Sequence, residues 1–130
     1  MENKSEKAIF MSIDDDEIKN ILISLKNIKG IHGSAIIEKF GDITGSALPG
    51  WVDPEGVSAM VALILKASER ATKELDQGEF INAIIENEKG KLLFSSIGDK
   101  IIVVITTTDA KLGIINLKLQ AAREKLKGKI

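Results

Sequence analysis

Ile18, Ile21, Leu22, Leu25 and Ile28 recur at i, i+3, i+4, i+7 and i+10, one stripe of a helix. Ser12 reads as its N-cap, and Asp14, Asp15, Asp16 and Glu17 suit the positive end of the helix dipole. Gly30 closes it. Two short strands follow, Ser34 to Lys39 and Ile43 to Leu48, joined through the turn signal Gly41-Asp42. Pro49-Gly50 breaks the chain, and Asp53-Pro54-Glu55 supplies a cap, a proline at the first helical position and an early acid. The second helix so begun runs to about Asp76, with Gly78 beyond it. Three more strands are predicted over Phe80 to Asn87, Lys91 to Ile97 and Ile101 to Thr107, each separated by a glycine-containing turn. Ile101, Ile102, Val103, Val104 and Ile105 do not alternate, so that strand is covered on both faces and lies mid-sheet. Asp109 reads as the cap of a last helix whose apolar side is Leu112, Ile115, Leu119, Ala122 and Leu126. The order is α-β-β-α-β-β-β-α. Hairpin links make the sheet largely antiparallel, and helices must cover both of its faces.

The second helix departs from simple amphipathicity. Val57, Val61, Ile64, Ser68, Ala71 and Leu75 form the side expected to lie on the sheet. The opposite side of a solvated helix is polar, yet here it carries Ala59, Met60, Ala62, Leu63 and Ala67, with Lys66, Arg70 and Lys73 only toward the end. A helix apolar nearly all round is buried twice, and in a domain this small the second cover is another protein. The third strand points the same way. Phe80, Ile81, Asn82, Ala83, Ile84 and Ile85 contain neither proline nor lysine, so as a sheet edge this segment invites a second copy. The expected dimer surface is therefore Ala59, Met60, Ala62 and Leu63 with Phe80, Ile81, Asn82, Ala83 and Ile84.

The chain has 130 residues, and its formal charge of −1 gives no global drive toward nucleic acid. No cysteine is present, which excludes disulfides, thiolate metal sites and cysteine nucleophiles. The expected organisation is a short polar tail over residues 1–12 and a single domain over 13–130. No apolar run approaches the ~20 residues of a membrane helix, and the segment Ala8 to Ile13 is too short for a secretory signal. A cytoplasmic protein without membrane insertion is expected.

Catalytic patterns fail one by one. His32 is the single histidine and has no partners at triad or metal spacing. The acids from Asp14 to Glu17 are contiguous and lack the alternation and glycine of a calcium loop. Gly90-Lys91 is followed by Leu92, so the P-loop pattern breaks, and Gly30 and Gly33 precede no helix, so the dinucleotide fingerprint breaks. Gly45-Ser46-Ala47 is no nucleophile elbow. With one tryptophan, four phenylalanines and dispersed lysines there is no stacking platform for nucleic acid. No catalytic residue, cofactor or metal ligand is predicted.

Several segments together resemble the roadblock / dynein light chain superfamily and its prokaryotic MglB-like members. They are Ile31-His32-Gly33-Ser34-Ala35-Ile36-Ile37, Gly41-Asp42-Ile43-Thr44-Gly45-Ser46, Gly90-Lys91-Leu92-Leu93-Phe94, Gly98-Asp99-Lys100, the Ile101 to Ile105 strand and Lys111-Leu112-Gly113. The resemblance covers about residues 14 to 127 and rests on element order, length and glycine placement. It implies an α+β fold: a five-stranded antiparallel sheet, the second helix on one face, the first and last on the other. It implies a dimer through the third strand and second helix, with itself or with a paralogous roadblock protein. It further implies a non-catalytic platform for a small Ras-like GTPase. Some prokaryotic members accelerate hydrolysis by arranging the GTPase's own residues without donating an arginine finger. On this mapping Lys66, Arg70 and Lys73 would meet the GTPase. The competing readings are a small-molecule sensor module, which needs a cavity with convergent polar groups, and a longin- or profilin-like adaptor, whose element order differs at the start.

Overall fold

The computed structural model describes residues 12–126. Eight elements follow in the expected order: α1 (Ser12–Lys26), β1 (Ile31–Glu38), β2 (Ile43–Ala47), α2 (Pro54–Glu74), β3 (Asn82–Asn87), β4 (Gly90–Ile97), β5 (Lys100–Thr106) and α3 (Leu112–Leu126). The strands form one five-stranded sheet in the order β2-β1-β5-β4-β3, antiparallel throughout. The tail over residues 1–11, and the side chains of Ser12, Asp14, Asp15 and Leu126, lie outside the described residues, so the predicted cap and tail boundary fall there.

β5 takes the centre, as its unbroken apolar run requires. Ile102 and Val104 point to one face, where Ile36, Leu93 and Ile97 join Ile18, Ile21, Leu22 and Leu25 of α1 and Ile115, Leu119 and Ala122 of α3. Ile101 and Val103 point to the other, where Ala35, Ile37 and Phe94 meet Val61 and Leu65 of α2. The period of two along each strand thus feeds two separate cores, one per face.

Several expectations need correction. β1 begins at Ile31, not Ser34, because its pairing with β5 extends to Ile31 opposite Thr106 while its pairing with β2 reaches only Ser34. β3 begins at Asn82. Phe80 stands outside it, its ring stacked on Phe94 at 5.8 Å. α3 begins three residues beyond Asp109, whose carboxylate accepts the Thr107 hydroxyl at 2.5 Å; Asp109 is not its cap. On α2 the buried residues are Ser58, Val61, Ala62 and Leu65. Leu75 and Ala71 are exposed, and the helix ends at Glu74.

Candidate functional site

About three turns of α2 expose Ala59, Met60, Leu63, Lys66, Ala67 and Arg70 together. Met60 and Leu63 are each 64% exposed, an apolar pair at the crest of the helix. Ala62 is not part of this surface. It is only 6% exposed and faces the β1–β2 turn, where a Cβ on Gly41 would lie 3.6 Å from the Ala62 Cβ and from the Ala59 Cα.

The two sheet edges differ. β2 is five residues long and its pairing slips between Ile36 and Ile37, which leaves Thr44 as an unpaired bulge. Such a break blunts an edge. β3 pairs with β4 over six residues without a slip, from Asn82 opposite Ser95 to Asn87 opposite Gly90. The Ser96 amide donates to the Ile81 carbonyl at 2.8 Å. Antiparallel alternation then assigns the odd-numbered residues to β4 and turns the backbone groups of Asn82, Ile84 and Glu86 to the open side. The side chains alternate as well. Ala83 and Ile85 are half-buried in the α2-side core. Ile84 lies opposite Leu93 on the α1–α3 side and is 42% exposed, while Asn82 and Ile81 are exposed. Of the predicted strand residues, Phe80 and Ala83 therefore serve mainly the core of this chain, and Ile81, Asn82 and Ile84 are accessible.

Beside the first half of α2 the sheet is incompletely covered at β4 and β5. A hollow of about 450 Å³ is lined by Trp51, Val57, Met60, Ile64, Leu92 and Ile105. Trp51 stands 80% exposed at its mouth. Sequence reasoning missed this hollow, because Leu92 and Ile105 reach it only through strand pairing. The one available signal was the tryptophan itself, placed just before the helix.

The cationic end of α2 is mixed. Lys66 holds its ammonium 5.5 Å from the centre of the Phe40 ring. Lys73 borders a hollow of about 410 Å³ that also contains Glu69, Asp76 and Glu79, so carboxylates stand beside the basic side chains. At the other end of the molecule a hollow of about 480 Å³ lies among Ile28, Lys29, Thr107, Asp109, Lys111 and Ile114. There the Thr107 hydroxyl holds the Asp109 carboxyl below the usual aspartate range, helped by its own backbone amide and by Lys29 and Lys91. His32 is exposed on β1. Among the described residues no three histidine, aspartate or glutamate side chains are grouped to hold a metal ion. No helix among them is long and apolar enough to cross a membrane.

The model of the Roadblock/LC7 domain matches residues 17–107, which span α1 through β5. The chain belongs to the Roadblock/LC7 family. A relative within reach by sequence is the uncharacterized protein MJ1340 of Methanocaldococcus jannaschii, 38% identical over 110 residues, covering 85% of this chain and 96% of that one. Among solved structures, Myxococcus xanthus MglB superposes with a TM-score of 0.81 at 22% identity, over 86% of each chain. A structure described as MglB with tetrameric arrangement superposes with a TM-score of 0.76 at 19% identity, over 85% of each chain. At these identities the structural likenesses establish the roadblock fold, including its placement of the second helix alone on one face.

Proposed function

We propose that this roadblock chain is a non-catalytic, cytoplasmic platform that self-associates through β3 and α2 and binds a small Ras-like GTPase, which it regulates or scaffolds. The observation that carries the reading is the contiguity of an unblocked sheet edge with the exposed Met60 and Leu63 of α2. Backbone groups of Asn82, Ile84 and Glu86 can all be satisfied if two copies of β3 pair about a two-fold axis at Ile84. Asn82 then stands opposite the partner's Glu86, and no like charges face each other. The same operation sets a second α2 on the same face of the joined sheet, where pairing of the exposed Met60 and Leu63 would remove apolar surface from water. A tetrameric arrangement in a structural relative agrees with a self-associating fold. The GTPase part rests on family membership and on Lys66, Arg70 and Lys73, which give an acidic partner a place to bind.

The test of the platform is absolute mass by light scattering. A value near twice 14.1 kDa is expected for the wild type, and Leu63→Glu or a charge at Ala59 should yield monomers. An unchanged mass in both variants would remove α2 from the contact. For the partner, Arg70→Glu should weaken GTPase binding measured by calorimetry while the dimer persists. Undiminished binding would take Arg70 out of the site.

A further inference from the structure

The β1–β2 turn is tied to the rest of the molecule at successive residues. Glu38 accepts a hydrogen bond from the Lys100 ammonium of β5 at 2.6 Å. Lys39 lies 3.6 Å from the Glu69 carboxylate of α2. Phe40 carries the Lys66 ammonium over its ring, and Gly41 faces Ala59 and Ala62 across a gap that a Cβ would fill. A turn so fastened has little freedom, yet it holds the Phe40 ring 83% exposed. The hydrophobic effect alone would fold this ring away. Presenting it rigidly beside a helix removes the ordering cost that a mobile aromatic meets on binding, the property of an interface anchor.

The surrounding charge indicates the kind of partner. Among the described residues, Lys39 and Lys100 each have a carboxylate within 4.0 Å, whereas Lys66, Arg70 and Lys73 have none. Lys66, which makes no direct ion pair among the described residues and lies over the apolar ring, with Arg70 one turn further along α2, complements an apolar socket rimmed by acidic side chains. The second copy of this chain is not that partner. β1 and β3 are separated by β5 and β4, a distance of about 14 Å at ordinary strand spacing, and the turn lies on the far side of α2 from the open edge.

We infer that Phe40 is the anchor of the GTPase contact: its ring enters an apolar socket on the GTPase, and Lys66 and Arg70 pair with carboxylates at the rim. This inference rests on the reading above that a small Ras-like GTPase is the partner, and it adds the residue and the chemistry that fix the contact. The experiment is titration calorimetry with the Ras-like GTPases encoded in the same genome, each loaded with GDP or with a non-hydrolysable GTP analogue. A GTPase that binds the wild type should bind Phe40→Ala at least tenfold more weakly, with Phe40→Trp restoring affinity. The affinity for the wild type should fall as salt rises. The oligomeric mass and melting temperature of Phe40→Ala should match the wild type, since the ring is exposed. If a GTPase binds the wild type and Phe40→Ala equally, the anchor is overturned and the platform reading stands. If no GTPase binds the wild type, both fall.

Discussion

The Lys100 ammonium lies 2.6 Å from a Glu38 carboxylate oxygen, the two residues being direct partners across β1 and β5. Their environments are unequal: the Lys100 side chain is 7% exposed and that of Glu38 35%. Removing the anion therefore leaves a nearly buried ammonium, whereas removing the cation leaves a carboxylate that water can reach. Glu38→Ala should cost about 2–4 kcal/mol of stability. Lys100→Met should cost less, about 1 kcal/mol, because it keeps the buried aliphatic stem and strands only the more exposed partner. Urea denaturation of the two variants checks the order, and equal losses would contradict it.

Ser34 presents the reverse case. Its hydroxyl is fully buried on β1 between Ala47 and Val104, and among the described residues nothing accepts from it or donates to it. A buried hydroxyl without a partner costs desolvation and returns nothing. Ser34→Ala should leave the protein as stable or raise its stability by about 1 kcal/mol. A loss in the thermal melt would mean that the hydroxyl has a partner in solution.

How far the fold could be read in advance follows from the range of the forces involved. The α1 stripe, the doubly covered β5 run and the turn glycines are local patterns, and each became the element it predicted. The errors are non-local. Ala62 and Ala59 are equivalent small residues in the sequence, and only the packing of the folded chain buries one and leaves the other accessible. Ile31 extends β1 because Thr106, distant in sequence, is there to pair with it. A phenylalanine in a turn, such as Phe40, has no periodic signature in the sequence. Its position over α2 comes from contacts with Lys66, Glu69 and Lys100 made by its neighbours and itself. The cationic run on α2 was visible, but the nearby Glu69, Asp76 and Glu79 come together with it only at the end of the helix.

Asp109 makes acid stability testable at a single site. The Thr107 hydroxyl, the Asp109 backbone amide, Lys29 and Lys91 together hold its carboxyl below the ordinary value of 3.8. A folded-state pKa below the unfolded one means that the unfolded chain takes up the proton first. The contribution to stability is then complete above the unfolded value and is lost as pH falls through the lowered folded value. Thr107→Val removes the largest cause and keeps the backbone bond from Thr107 to Gly30. The Asp109 carboxyl, followed by NMR titration, should move up toward the ordinary range in this variant, and the extra acid resistance should shrink with it. An unmoved titration would show that the hydroxyl does not hold the carboxylate.

The open edge can be tested by placing a proline on either side of the β3 alternation. At Ile84 the amide faces outward, so proline removes no bond to β4, whereas at Ile85 it removes one. Ile84→Pro should keep the hairpin and most of the far-ultraviolet dichroism, lose a partly exposed side chain, and abolish pairing of two edges. Its sedimentation mass should fall to that of one chain. Ile85→Pro, which also withdraws a side chain from the α2-side core, should unfold the β3–β4 hairpin and lower the melting temperature well beyond the loss in Ile84→Pro. The contrast separates a dimer seam from ordinary strand stability. If Ile84→Pro keeps the wild-type mass, the copies do not meet along β3.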